Sequence, residues 1–335
     1  MKKFLPILLI ACVLVSGCSD NAQNNSRKDE NLSSTLADNS SNILNRDSEN
    51  VKFKYDIPQT EKNPVGIYKF ADAEVSKDGF LKLFSGQPSC EKKTFDNGFR
   101  EEYTIGDETG AILNRNGFLQ SVGYETSQGF SYWAIEDKAE SPDESTEFDF
   151  ISRKEITEKL SATVKELFGE MEIQTRIDAI TAERFSKDVK THIEAAAELY
   201  DNPLTAEKYG TPADFYLVSF TQTIEGVPFD GMNGIAVFTA KGMEVINIYN
   251  PVKIVEKANA DDNFINLDKA EKLLVEKYDL LLLEEPVEVN SAELTYIIVD
   301  ENLAPVWKFA FPDNYFEYYD AYTGKEIVVQ GGEGA

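Results

Sequence analysis

Two stretches of this chain repeat one another, and that repeat constrains its fold more than any other feature. "DFISRKEITEKLSATVKEL" starts at Asp149 and "NFINLDKAEKLLVEKYDLL" starts at Asn263. Phe150 answers Phe264, Ile151 answers Ile265, and Ser152 answers Asn266. Ser and Asn are good helix N-caps, because their side-chain oxygens accept from the free N–H groups of the first turn. Ser152 with Glu155 three residues on has the form of a capping box. Ile156, Leu160, Val164 and Leu167 then recur at helical spacing in the first copy. Ala270, Leu273, Leu274 and Tyr278 do so in the second. A helix with one apolar face must rest that face on something apolar.

Strands supply the surface. "EIQTRIDAITAERF" follows the first helix and "PVEVNSAELTYIIV" the second, both alternating and rich in β-branched residues. Each copy closes on a hairpin, "IAVFTAKGMEVINIY" and "FEYYDAYTGKEIVV", with Gly242 opposite Gly324. Glycine at these places suits a positive φ in a tight turn. Asp320 and Thr323 read as turn formers beside Gly324. The spacing between matching positions shrinks from helix to hairpin, so the first copy carries extra residues between roughly Arg184 and Asp214. That insertion, "THIEAAAELYDNPLTAEKYGTP", reads as a short helix and a loop. It is where the copies differ, and it holds His192.

The expected fold class is α+β: tandem modules of one helix packed on an antiparallel sheet, at residues 149–262 and 263–330. A β-rich N-terminal unit is expected before them, at residues 51–148. "FREEYTIGDETGAILNRNGFLQSVGYE" in that unit reads as strands with turns at Gly110 and Gly117, and the acidic segment Glu136–Glu147 as its boundary.

Helix, strand, a "PVWKF" strand and a strand ending "YDAYTGKE" together resemble the PepSY-type module and the related YycI-like regulatory lipoproteins. In Phe264–Val329 the Pro305–Trp307 pair and the Asp320–Gly324 turn stand as that family has them. In Phe150–Tyr249 the Trp is missing, "LVSFTQ" takes its strand and "TAKG" replaces the turn. The resemblance implies a helix on an antiparallel sheet. It further implies a role outside the cell, restraining peptidases or modulating signalling proteins, without catalysis.

The stretch Pro305–Glu326 gathers eight aromatic residues, from Trp307 to Tyr322. Strand alternation puts Trp307, Phe309 and Phe311 on one face and Lys308 on the other. In the next strand Phe316 and Tyr318 share a face opposite Tyr315, Glu317 and Tyr319. One aromatic set belongs under the second helix, and the other faces outward or against a neighbour. Tyr offers flat area with a polar handle, which makes Tyr315, Tyr319 and Tyr322, with His192, the candidate partner-binding residues. A carbohydrate-binding platform of exposed tyrosines is the alternative use.

The start of the chain gives an address. "MKK" is a positive n-region, and "FLPILLIACVLV" is an apolar run of signal-peptide length, shorter than the roughly 20 residues that span a bilayer. It ends in "LVSGC", where Ser16 and Gly17 before a cysteine look like the lipobox of bacterial lipoproteins. That resemblance implies cleavage after residue 17 and diacylation of Cys18, which would hold the protein on the outer face of the cell membrane. Two acyl chains anchor where one holds only marginally. Residues 18–50 are mostly Ser, Asn, Asp and Glu and cannot offset the entropy of ordering, so they read as a tether. Of three cysteines only Cys90 then stays free, a small half-buried residue with no His nearby in sequence to activate it.

With 33 basic and 59 acidic residues the net charge is −26, which argues against nucleic acid and anionic headgroups and favours a basic partner. One histidine in the whole chain excludes multi-His metal sites, and HExxH is absent. No GxSxG turn accompanies His192, and no GxGxxG or P-loop pattern supports a nucleotide. "EDKAESPDESTEFD" and "NADDNF" lack the ligand order of an EF-hand. No catalytic residue, cofactor or metal is expected. The expectation is a non-enzymatic lipoprotein that binds a protein or peptide partner.

Overall fold

Both capped helices form where their side chains call for them. In the computed structural model, Ser152 Oγ accepts from Glu155 N at 3.3 Å while Ser152 N donates to Glu155 Oε2 at 3.0 Å. Asn266 Oδ1 accepts from Lys269 N at 3.1 Å. The structure describes residues 46–55, 65–84, 91–95, 100–105, 108–115, 118–126, 143–199, 211–258 and 263–328. The signal stretch, Cys18, most of the tether, Cys90, Gly117 and much of the Glu136–Glu147 segment lie outside the described residues.

In chain order the elements are β1 (Val51–Phe53), β2 (Ile67–Asp72), α1 (Lys77–Leu81), β3 (Glu91–Phe95), β4 (Arg100–Ile105), β5 (Glu108–Arg115) and β6 (Phe118–Glu125). Next come α2 (Arg153–Phe168), β7 (Glu172–Ile180), α3 (Ala182–Leu199), β8 (Phe215–Ile224), β9 (Val227–Pro228), β10 (Asn233–Thr239), β11 (Gly242–Tyr249) and β12 (Val252–Ala258). The chain continues through α4 (Leu267–Asp279), β13 (Val287–Val289), β14 (Ser291–Val299), β15 (Asn302–Ala310), β16 (Phe316–Asp320) and β17 (Glu326–Ile327). The class is α+β with strand predominant, and nearly all pairing is antiparallel.

Strands gather into two main sheets. The larger runs β3-β4-β5-β6-β11-β10-β8-β7, with β9 hung on β8. The smaller runs β12-β2-β15-β16-β17, with β14 on the other side of β15. Helix α2 is thus followed by strands adjacent in the order β7-β8-β10-β11, and α4 by β14-β15-β16-β17. Gly242 and Gly324 both have positive φ, 115° and 69°, at the last turn of each run. Ile156, Leu160, Val164 and Leu167 are fully buried on α2, as are Ala270 and Leu274 on α4. Trp307 lies against the entry to α4, its Nε1 donating to Ile265 O at 2.9 Å.

The 51–148 stretch is not a unit by itself. β6 pairs with β11 from Ser121↔Tyr249 to Glu125↔Val245, so β3–β6 extend the sheet of the first helical copy. β2 instead joins the second sheet, antiparallel to both β12 and β15. Residues Asn45–Ala335 form one compact unit. Edge strands seek partners, and a sequence pattern does not name which edge a strand will choose.

Three boundaries also differ from expectation. Arg46–Asn50, expected as tether, instead bond to α4: Arg46 pairs with Glu271, Ser48 donates to Asp279, and Asn50 donates to the carbonyls of Tyr278 and Leu281. Gly110 lies inside β5, not at a turn: a Cβ there would meet Phe80 at 2.8 Å and Phe84 at 2.9 Å. Finally, the insertion opens with a long helix, α3, and His192 falls within it, well past its first turn. The His192 side chain and residues 200–210 lie outside the described residues.

Candidate functional site

Alternation along β4, β5, β6 and β11 sorts their side chains cleanly. Tyr103, Gly110, Tyr124 and Ile246 are successive cross-strand partners on one face, where Phe80 of α1 packs on Tyr103, Phe84 packs on Tyr124, and both rings close over Gly110. Burial, then Glu108 and Glu244, push the Tyr124 hydroxyl up to about 12. On the other face the partners are Glu102, Ala111, Gly123 and Asn247, flanked by the Thr104, Thr109 and Glu125 row.

Among the described side chains, helix α3 packs on one part of this second face. Phe185 and Val189 pack with Ile180, Phe215, Val237 and Val245, and Ile235 and Leu217 fill in around them. Beyond Val245 the described residues of this face turn polar. There the surface forms a trough of about 350 Å³ lined by Arg100, Glu102, Thr104, Thr109, Ala111, Gly123, Glu125 and Asn247 among others. That volume lies at the lower end for small-ligand sites. Its floor is low because Ala111 and Gly123 stand at its centre. A Cβ on Gly123 would come within 2.8 Å of Asn247 Oδ1. Arg100 and Glu102 form an ion pair at 2.5 Å beside this floor. Chemically the trough offers a charged pair, hydroxyls and an amide over a flat base, a surface suited to hydrogen bonding an extended polar chain.

The tyrosines named from the sequence lie elsewhere and separate in role. Tyr319 is 3 % exposed and Tyr322 is 9 % exposed, so neither can be part of an outward platform. Trp307↔Tyr319 and Phe309↔Glu317 are cross-strand pairs, which turns Glu317 and Tyr319 inward with the Trp307 face. Tyr322 is spent on Val65 O, to which its hydroxyl donates. Tyr315 is 54 % exposed. Its hydroxyl donates to Glu317 Oε1 at 3.2 Å, alongside Tyr278 at 2.7 Å and Lys277 Nζ at 2.9 Å, while Tyr319 donates to Oε2 at 3.3 Å. A buried carboxylate so surrounded by donors is satisfied in place. Burial and then Glu317 raise the three tyrosine hydroxyls above their ordinary range. The structure does not bring His192 and these tyrosines together: the former rides on the helix over the larger sheet, the latter sit in the smaller one.

The trough had a signal in the sequence. Arg100, Glu102, Thr104, Thr109, Ala111, Ser121, Gly123 and Glu125 alternate with Tyr103, Ile112, Val122 and Tyr124. Such a pattern marks a sheet with one solvated face. Among the described residues, no group of three or more His, Cys, Asp or Glu side chains is gathered to hold a metal. Nor is any described helix long and apolar enough to cross a membrane.

No protein-family model matches the sequence, and no curated protein is similar to it. A crystal structure of an uncharacterized protein from Eubacterium rectale ATCC 33656, at 1.45 Å resolution, shares the fold with a TM-score of 0.53. The two chains are 16 % identical, and the match covers 79 % of this chain and 86 % of that one. At that identity the likeness is one of fold alone.

Proposed function

We propose that this chain is a non-enzymatic, lipid-anchored extracytoplasmic protein that binds a protein or peptide partner on the open face of its larger sheet. The observation that carries the reading is the polar trough, where the sheet face beside the described apolar contacts of α3 is floored by Ala111 and Gly123 and walled by Arg100, Glu102 and Asn247. A net charge of −26 favours a partner with basic character. The lipobox-like "LVSGC" supports attachment through Cys18. The regions 149–262 and 263–330 are read as tandem PepSY-like modules. Supporting that are the shared strand order after α2 and α4 and the positive-φ glycine at the same turn of each.

The test is a crosslinked pull-down of the lipidated protein from its own membranes, beside a Gly123→Leu variant that fills the trough. One enriched protein, lost or strongly reduced with Gly123→Leu while the variant stays folded, is the expected result. Equal capture by both would move the contact off this face. No capture by either would return weight to a glycan ligand, to be followed by fluorescence titration.

A further inference from the structure

Helix α4 ends in an apolar tip whose leucine side chains are exposed among the described residues. From its C-cap, Leu280, the chain runs Leu280-Leu281-Leu282, with Leu280 86 % exposed and its two successors also exposed. Three neighbouring exposed leucines are unusual on an acidic surface, where isolated apolar residues are the norm. Tyr315 reaches the same end of the helix, since its hydroxyl shares Glu317 Oε1 with that of Tyr278 and its ring packs 5.4 Å from Phe311, which in turn packs against Tyr278.

The N-terminal segment docks at this tip. Asn50 Nδ2 donates to Tyr278 O at 3.1 Å and Leu281 O at 3.2 Å, and Ser48 Oγ donates to Asp279 Oδ1 at 2.8 Å. The described chain starts at Arg46, bonded to Glu271 higher on α4, and reaches the exposed leucines at Ser48 and Asn50, so few residues separate the tip from the 18–45 segment that connects to Cys18 in sequence.

We infer that the Leu280–Leu282 tip, with Tyr315 beside it, rests in the interface of the bilayer that carries the lipid anchor. This rests on the reading of Cys18 as acylated. Leucine side chains gain by leaving water, and a Tyr with one wet end suits the headgroup level. The tether brings the tip to the membrane at high effective concentration, so weak insertion suffices. Asp279, Glu284 and Glu285 flank the leucines, which sets the preference for zwitterionic over anionic lipid. Contact here fixes which way the folded unit faces, an orientation that a lipid at Cys18 alone would leave free.

The experiment uses the full lipidated chain in phosphatidylcholine vesicles containing spin-labelled lipid. A polarity-sensitive dye is placed on Leu281→Cys, or on Val255→Cys of β12 as a control, each with Cys90→Ser. Both positions are exposed, so neither substitution disturbs the core. The expected result is a blue shift and loss of emission at position 281 and an unchanged dye at 255. An acylated chain, verified by mass, with position 281 unquenched overturns the tip contact while leaving the anchor intact. A blue shift without quenching also overturns it and points to a protein on the tip. A bare Cys18 with the protein left in solution overturns the anchor and the contact together.

Discussion

Glu271 sits on α4 with its side chain only 6 % exposed, a position that composition and periodicity would assign to an apolar residue. It is held there by Arg46, whose Nε and Nη2 donate to both carboxylate oxygens at 3.0 and 2.8 Å, and by the Tyr55 hydroxyl at 2.8 Å. The guanidinium lies 4.8 Å from the Phe53 ring and 4.6 Å from that of Tyr55. Removing one partner of a buried pair leaves the other uncompensated, which costs about 3–5 kcal/mol. Arg46→Ala is expected to lose that much in urea unfolding and to open residues 46–55 to proteolysis; an unchanged midpoint would show the clamp to be idle. None of this was legible in advance, because the pair spans most of the chain and Arg46 sits in a stretch whose composition reads as tether. Glu101 is a second such case. Bonds from Lys92 at 2.8 Å and Tyr103 at 2.6 Å, with Lys77 at 3.4 Å, hold its carboxyl at about 2 against an ordinary 4.5. The folded value lies below the unfolded one, so this stabilisation is complete above about pH 4.5 and is lost as pH falls towards 2. Between pH 7 and pH 3 the native chain should lose more stability than Glu101→Gln, by about 1–2 kcal/mol once screening of the exposed lysines is allowed for. Parallel losses in the two proteins would refute the assignment.

At the scale of elements, the helices were the most legible part. Ser152, Asn266 and the apolar stripes they introduce specify helix starts and buried faces by local chemistry alone, and the structure has both. Leu160 is fully buried in the core that α2 shares with the sheet. Leu160→Ala should therefore cost about 2–5 kcal/mol by lost transfer energy and an unfilled cavity. The check is an equilibrium denaturation, where a cost below 1 kcal/mol would mean that α2 is loosely packed. Strands were legible as strands but not as partners. β2 reads like any half-buried strand, yet it crosses to the second sheet, and β3–β6 join the first by pairing β6 with β11. Pairing is decided by which edges meet after collapse, and alternation is the same whichever edge is chosen. Gly110 shows the converse error, since a glycine read as a turn was needed in mid-strand by the rings of Phe80 and Phe84.

At the scale of the molecule, the two sheets interlock. N-terminal strands contribute to both, and β9 beside β14 joins them through the Phe229↔Tyr296 bridge and the bond from Thr295 Oγ1 to Pro228 O at 2.9 Å. The aromatic stretch near the C-terminus mostly turned inward, leaving Tyr315 and part of Phe316 at the surface. The surface for a partner is better sought on the open face of the larger sheet. The most direct measurement places a photo-crosslinking amino acid at Thr109, exposed on the trough, in the full-length protein expressed in its own cells. Glu158, exposed on α2, serves as the reference position. A discrete adduct of higher mass from position 109 and none from 158 is the result expected of a partner-binding face. Irradiation that gives no adduct at 109, or the same adducts from both positions, would contradict it.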